Sequence, residues 1–230
     1  MAVLYDAHIF LDFEMNPIPR EFQAERRICR NEIVEIGAVK LDHTYQLIDR
    51  YAQYVKPQYG PISPRITSLT GITDRAVADA QAFEAAMEDF AQWIGEGRAR
   101  IYSWSRSDPY QLWDESWLKE IPLPWQLNQR WMDFQAVYTR LIGLSGRQPL
   151  SLKNAVGSAN YRFDGEAHRA VHDAENAASL LVLVKEGRLK EQADAVWAML
   201  HPDAAPHARL GDTYGTQLQA LLDQMQEGGA

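Results

Sequence analysis

The sequence contains one cysteine, Cys29, among its 230 residues. A single thiol excludes an internal disulfide and a thiolate-rich zinc site. There is also no apolar run near the roughly 18–20 residues that a membrane helix needs, and no basic segment followed by an apolar stretch at the N-terminus. From these absences we expect a cytoplasmic protein that does not associate with a membrane.

The chain also lacks an excess of basic residues. Its 31 acidic residues exceed its 23 lysines and arginines, for a formal net charge of -8. This balance argues against a long, non-specific surface for duplex nucleic acid. It does not exclude an enzyme acting on nucleic acid, because a metal site concentrates acidic residues and bound cations supply positive charge locally.

The hydrophobic pattern predicts an α/β domain followed by a tail. Strands are predicted at residues 8–13, 31–41, 46–56 and 100–104, and helices at residues 82–94, 109–118, 131–142, 151–156 and 166–184. Residues 66–73 contain a short predicted helix closed by Gly71, with Thr73 placed to cap a following turn. Three consecutive strands, then strands alternating with helices, indicate a mixed sheet. Past residue 186 we predict a Pro- and Ala-rich linker (201–212) and a short helix (214–225). The predicted units are therefore a domain of residues 1–186 and a tail of residues 187–230.

An acidic pair, Asp12 and Glu14, stands at the end of the first predicted strand. Residues two apart on a strand point to the same face, with Phe13 directed to the other face. Two neighbouring carboxylates at the end of a buried strand are costly unless cations neutralise them. The alternative is an edge strand that emerges into solvent.

Two further positions carry candidate chemistry. Asp108 follows the fourth predicted strand at a strand-to-helix junction, where a capping role is the alternative. His168 precedes Asp173 by five residues, about 1.4 helical turns, so the two side chains do not share a narrow stripe. We therefore place His168 on the loop or first turn entering the last helix, with a pair of solvent-facing side chains as the alternative. His172 belongs to a different face and is assigned no chemistry.

Converging carboxylates beside one histidine are what two-metal phosphodiester hydrolysis requires. The carboxylates hold two divalent cations about 3.5–4 Å apart, and a base takes a proton from the attacking water. Three other carboxylates near predicted helices are interpreted as solvated surface residues: Asp114, Glu115 and Asp133.

Taken in order, these motifs resemble the DEDDh branch of the DnaQ-like 3′→5′ exonucleases. The family's acidic motifs correspond to Asp12-Phe13-Glu14, Asp108, and His168 with Asp173. Supporting segments are EIVEIGAV (32–39), ITSLTGIT (66–73), SLKNAV (151–156) and AHRA (167–170). The resemblance covers residues 6–185 and is nearest to the group of KapD-type and histone-mRNA exonucleases.

The resemblance implies an RNase H-like fold, a five-stranded mixed sheet with helices on both faces. It also implies that Asp12, Glu14, Asp108 and Asp173 hold two Mg²⁺ or Mn²⁺ ions, while His168 is the general base. The expected partner is a single-stranded or short nucleic acid with a free 3′ end, degraded to nucleoside 5′-monophosphates. The terminal base stacks on Phe13 or Met15 in this interpretation; for Phe13 the alternative is a core side chain.

Other functions stay open at this stage. The same fold can serve as a non-catalytic interaction protein or as the proofreading module of a polymerase. The tail is a candidate arm for a protein partner or for homo-oligomerisation. Four arginines between the first two strands either contact the phosphate backbone or form a solvated loop: Arg20, Arg26, Arg27 and Arg30. Preference for RNA or DNA depends on contacts to the 2′-hydroxyl, which a sequence does not locate.

Overall fold

A five-stranded mixed sheet forms the centre of the protein. The computed structural model describes residues 5–144, 149–159 and 168–188, together with residue 194. The strands are β1 (Ala7–Pro17), β2 (Asn31–Asp42), β3 (Leu47–Tyr54), β4 (Ala99–Ser103) and β5 (Met132–Asp133). Their order is β3-β2-β1-β4-β5. The first three strands are antiparallel neighbours, and β4 and β5 run parallel to β1. The predicted fold class is thereby confirmed.

Helices connect and cover the strands. Those in the described residues are α1 (Pro64–Thr70), α2 (Asp74–Val77), α3 (Phe83–Ile94), α4 (Ser107–Lys119), α5 (Phe134–Leu141), α6 (Leu152–Ser158) and α7 (Ala170–Lys185). The signals around α1 and α2 act as the sequence predicts. Gly71 ends α1 with a φ of 75°, and the Thr73 side chain accepts a hydrogen bond from the N–H of Ala76.

Side chains of β1 divide between the two faces of the sheet. Phe10 packs into an apolar cluster with residues of α5, α6 and α7. Ile9, Leu11 and Phe13 pack on the opposite face, in a cluster with residues of α3 and α4. The alternation of side chains along a strand therefore places Asp12 and Glu14 on the α7 side.

One helix is shorter than the sequence predicts because the fifth strand precedes it. The pattern predicts a helix over residues 131–142, but Met132 and Asp133 pair in parallel with Tyr102 and Ser103 of β4. The helix α5 begins only at Phe134, where the Asp133 side chain accepts a hydrogen bond from Ala136 N–H at 2.9 Å. A two-residue strand is too short to show a periodic pattern. It forms only by pairing with a strand that is distant in sequence.

The last helix begins later than the predicted residue 166. His168 has a φ of 65° and Arg169 is extended, so helical geometry starts at Ala170. A non-glycine residue with a left-handed φ is uncommon. His168 therefore lies on the entering turn, as the spacing argument predicts.

The prediction of a solvated Glu115 is wrong, because its side chain is fully buried. One carboxylate oxygen lies 2.8 Å from Lys119 Nζ, and the other accepts the Ile33 N–H at 2.8 Å. Lys119 Nζ also lies 3.0 Å from Glu32. These buried groups are paired, as buried charges must be, and they tie α4 to the start of β2. Asp114, by contrast, is exposed as predicted.

A register break interrupts the pairing of β1 with β2. Glu14 is opposite Glu35, but Met15 is opposite Ile33, so Val34 of β2 has no partner on β1. Such β-bulges bend a strand and often occur beside functional sites.

The predicted linker (201–212) and tail helix (214–225) lie outside the described residues. Within the part of the chain that is described, no helix is both long and apolar enough to cross a membrane.

Gly37 lies where α7 crosses β2. A Cβ built at this position would come within 1.9 Å of Val171 N and 2.1 Å of the Ala170 carbonyl carbon. Both are backbone atoms, so they cannot move aside as a side chain can. We expect Gly37→Ala to lower the free energy of unfolding by about 1–3 kcal/mol, as overpacking does, measured by urea denaturation.

Gly157 provides the control for this substitution. It lies in α6, and a methyl group added there would meet no atom within 4 Å. Gly157→Ala should leave stability unchanged or raise it by up to about 1 kcal/mol. Equal effects of the two substitutions would contradict the close approach of α7 to β2.

Candidate active site

The first acidic pair is positioned by β1. Glu14 is buried and Asp12 is half-buried, and both side chains face the α7 side of the sheet. Leu11 and Phe13, their neighbours along the strand, are buried and apolar, so the two carboxyl groups arise from a buried part of the sheet. The edge-strand alternative does not hold, since β1 is the central strand of the sheet.

Asp108 joins this pair from the first turn of α4. Its carboxylate is buried and accepts hydrogen bonds from Phe13 N–H and from Ser107 Oγ, both at 3.2 Å. The residue does not cap the helix: the N-cap position is Arg106. The bond to Phe13 places Asp108 directly beside the acidic strand segment, although the two residues are far apart in sequence.

Asp173 and His168 approach from the start of α7. One ligand atom from each of Glu14, His168 and Asp173 lies within 4.8 Å of the other two. The backbone N–H of His168 donates a hydrogen bond to the Asp173 carboxylate. His168 is exposed, whereas Asp173 is half-buried. His168 therefore lies beside Glu14 and Asp173 at an exposed position. His172 is not part of this three-residue group.

Burial and mutual repulsion disfavour ionisation of the four carboxyl groups. Burial raises the pKa of Glu14 to about 8, with a further contribution from the charge of Asp173. Burial also raises the pKa values of Asp108 and Asp173 to about 6. The pKa of Asp12 is raised well above its usual value, first by burial and then by the charges of Asp108 and Asp173.

The carboxylates of Asp12, Glu14, Asp108 and Asp173, called the acidic group below, have the chemistry of a divalent-cation site. Carboxylate oxygens are the preferred ligands of Mg²⁺, and a histidine nitrogen is an accepted ligand of Mn²⁺ and other transition metals. A bound cation would stabilise the ionised carboxylates that burial and repulsion destabilise. Asp12, Glu14, Asp108 and Asp173 thus fit the implied metal-binding role.

These pKa shifts give a sign to the pH dependence of stability. Raised carboxyl pKa values mean that the folded protein binds protons more readily than the unfolded chain. Their stabilising effect is complete below about pH 4 and is lost as the pH rises towards 8. We expect the free energy of unfolding in EDTA to fall between about pH 5 and pH 8, measured by urea denaturation.

Adding Mg²⁺ in place of EDTA is the matched control. Because the cation favours the ionised carboxylates, it should stabilise the protein more at the upper end of this pH range. Stability that rises with pH in EDTA would contradict the acidic arrangement.

Phe13 and Met15 lie on the other side of the strand. Phe13 is 4% exposed, and its ring centroid lies 6.1 Å from that of Trp131. Met15 is partly buried and packs against the same cluster, on the α3 side. This placement favours the core interpretation for Phe13, since base stacking would require its ring to leave the cluster.

Two residues that sequence reasoning did not assign to the site also face it. Glu35 on β2 is 1% exposed and lies opposite Glu14. Arg169, next to His168, makes an ion pair with Glu35 at 3.0 Å. The available signal is Glu35 itself, an acidic residue inside the apolar run from Ile33 to Val39.

Comparison with known proteins identifies the family. The sequence model of the family described as "Exonuclease" (RNase_T) matches residues 9–181. The chain belongs to this exonuclease family. The match includes every residue of the acidic group, all of β2 and β1 from Ile9 onward, so the predicted family resemblance is confirmed.

Two curated relatives of this exonuclease family member come from animals. The 3'-5' exonuclease crn-4 of Caenorhabditis elegans is 25% identical over 191 residues, covering 77% of this chain and 62% of that protein. ERI1 exoribonuclease 2 of Danio rerio is 28% identical over 195 residues, covering 75% of this chain and 34% of that protein. The chain thus spans less than two thirds of the length of either relative.

A solved structure agrees with the fold. The nuclease domain of 3'hExo, a DEDDh family member bound to rAMP, has a TM-score of 0.68 and 24% sequence identity. The similarity covers 81% of this chain and 96% of that one. At this identity the comparison supports the RNase H-like fold of this chain.

Proposed function

We propose that this chain is a metal-dependent 3′→5′ exonuclease that degrades single-stranded or short nucleic acids to nucleoside 5′-monophosphates. One observation carries the proposal. Glu14, His168 and Asp173 present ligand atoms within 4.8 Å of one another, although Glu14 is far from the other two along the sequence. A partly buried acidic group of this kind disfavours ionisation of its carboxyls unless bound cations neutralise them, and such groups cluster at functional sites.

Four carboxylates have the role of metal ligands in this proposal: Asp12, Glu14, Asp108 and Asp173. Two Mg²⁺ or Mn²⁺ ions, when bound, would supply Lewis acidity and stabilise the charge that develops on a phosphodiester during hydrolysis. The hydrogen bond from Phe13 N–H holds Asp108 in place at 3.2 Å. The backbone N–H of His168 does the same for Asp173.

His168 has the role of general base. Its ring nitrogen lies close to the carboxylates of Glu14 and Asp173, while the residue as a whole is exposed. A general base must reach the proton it abstracts and must then lose that proton again. An imidazole at the mouth of the site can take a proton from water beside the acidic group and release it to solvent.

The relatives support this assignment of activity. The names of both curated relatives describe exonucleases, and one describes an exoribonuclease. The 3'hExo nuclease domain binds rAMP, a nucleoside monophosphate of the kind proposed here as product. These properties belong to those proteins, and they come to this chain as part of the proposal.

The proposed substrate contacts lie at the end of β1 and in the connection that follows it, with Met15 on the opposite face of the strand from Asp12 and Glu14. Met15, partly exposed directly after Glu14, is the proposed contact for the terminal base, with Phe13 packed in the core beside it. Three exposed arginines in the connection after β1 are the proposed contacts for the phosphate backbone: Arg20, Arg27 and Arg30. Arg26 is half-buried and donates to the Ile18 carbonyl, which leaves it less available.

We expect digestion to require a free 3′ end. A 5′-labelled single-stranded RNA or DNA incubated with Mg²⁺ should shorten one nucleotide at a time, and EDTA should stop the reaction. A 3′-phosphate should block digestion, because the terminal phosphodiester must enter the site past a free 3′-hydroxyl. The measurement is a denaturing gel resolved at single-nucleotide steps, with the product identified as the 5′-monophosphate.

A circular single strand of the same sequence is the control. It offers no end and should survive. Efficient cutting of the circle would mean that the chain is an endonuclease. No Mg²⁺-dependent cutting of any substrate would favour the non-catalytic interaction protein.

A further inference from the structure

Glu35 is a buried carboxylate that faces the site without being one of the four proposed ligands. It lies on β2 opposite Glu14, immediately before the register break. Its charge contributes to raising the pKa values of Asp12 and Glu14. A fifth carboxylate in this position adds repulsion to the acidic group, so it needs a compensating role.

The start of α7 occupies both oxygens of Glu35. Oε1 accepts hydrogen bonds from Arg169 Nε at 3.2 Å and Nη2 at 3.0 Å. Oε2 accepts the backbone N–H of Ala170 at 3.3 Å. The Glu35 side chain on β2 thereby satisfies one of the N–H groups that every helix start leaves without an intrahelical partner. The Arg169 side chain does not cap the helix itself.

These contacts surround the residues proposed to carry the chemistry. His168, which directly precedes Arg169, has a left-handed backbone conformation. The Asp173 N–H donates to the Arg169 carbonyl at 3.1 Å. Two residues after Glu35 on the same face of β2, Gly37 allows the α7 backbone to approach. Holding Arg169 therefore fixes His168 on one side and Asp173 on the other.

A role for Glu35 as a metal ligand is less compatible with these contacts. An arginine neutralises its charge, and both oxygens already accept hydrogen bonds from the helix start. A ligand would have to give up these bonds, which are among the strong, charge-assisted kind.

We propose that Glu35 and Arg169 form a positioning pair that sets the placement of His168 and Asp173, and thereby the turnover rate. The inference rests on the proposed exonuclease function. It assigns the pair no contact with substrate. Misplacing catalytic groups by about 1 Å can cost on the order of 10²-fold in rate, even when the change lies outside the reacting centre.

The test compares Glu35→Gln, Arg169→Gln and the double variant. Each single variant should lower kcat by about 10–10²-fold with little change in KM, since positioning acts on the chemical step. The double variant should be no slower than the slower single variant, because the two residues act as a unit. Hydrogen exchange of the Ala170 and Asp173 amides, followed by mass spectrometry, should be faster in both single variants.

Arg50→Gln is the matched control. Arg50 on β3 makes a similar ion pair with α7, at 2.5 Å to Glu175, farther from the start of the helix. Removing it should leave kcat within about twofold, as expected of an exposed ion pair. All assays are made below the temperature at which any variant unfolds, so loss of stability alone cannot lower kcat.

Three results would overturn the positioning pair. The first is wild-type kcat in both single variants, and the second is unchanged amide exchange at the start of α7. The third is recovery of Glu35→Gln by higher Mg²⁺ concentrations, which would make Glu35 a metal ligand. An inactive wild type would instead overturn the proposed function, and the exchange data would still decide whether the pair holds the helix.

Discussion

Asp12→Asn should abolish hydrolysis while leaving the protein as stable as the wild type, or more stable, in metal-free buffer. Burial and the charges of Asp108 and Asp173 raise the pKa of Asp12, so its ionised form is destabilising without cations. The amide keeps the shape of the side chain but loses the charge that a cation requires. Activity is measured on a 5′-labelled single strand with Mg²⁺, and stability by urea denaturation with EDTA at about pH 8.

The same result is expected for Asp108→Asn and Asp173→Asn. Asp114→Asn is the control, because it makes the same chemical change at an exposed position of α4. That variant should keep wild-type turnover and stability. Near-normal Mg²⁺-dependent turnover in any of the three site variants would remove that residue from the proposed set of ligands.

His168→Ala should lower turnover by about 10²–10⁴-fold, the usual contribution of a general base, while largely keeping Mg²⁺ binding. His168 is within reach of Glu14 and Asp173, whereas His172 is not in that group. His172→Ala should therefore stay within about twofold of the wild type, as most substitutions outside such features do. Turnover and the Mg²⁺-induced rise in Tm are the two measurements.

His168→Asn separates the loss of the imidazole base from any change in the backbone conformation at residue 168. His168 has a φ of 65°, and asparagine tolerates this conformation better than alanine does. If the imidazole is the base, both variants should lose activity to a similar extent. Full activity in the asparagine variant, or a larger effect at His172 than at His168, would contradict the assignment.

The elements that can be predicted well from the sequence are those with a strong local pattern. Alternating and β-branched side chains locate β1 and β2, and the i, i+2 spacing places Asp12 and Glu14 on one face. The five-residue spacing before Asp173 is enough to put His168 outside the helix. The acidic site can therefore be assembled from spacing and from the family resemblance.

What cannot be predicted from the sequence depends on contacts between distant residues. The strand β5 depends on pairing with β4, and the oxygens of the buried Glu115 are satisfied by Lys119 and by the Ile33 N–H from β2. The role of Glu35 is of the same kind, since Arg169 lies 134 residues away along the chain. No local periodicity reports such partners.

The register break after Glu14 determines where the chain can change length. Side chains on a strand alternate, so inserting or deleting one residue within β1 before the break would turn Asp12 or Glu14 towards the opposite face. Beyond the break, β1 and β2 are already out of step by one residue. A change of loop length between Pro17 and Asn31 is therefore not transmitted to the acidic pair. Homologues of this chain are expected to vary in length in that loop, with different basic residues beside an unchanged β1.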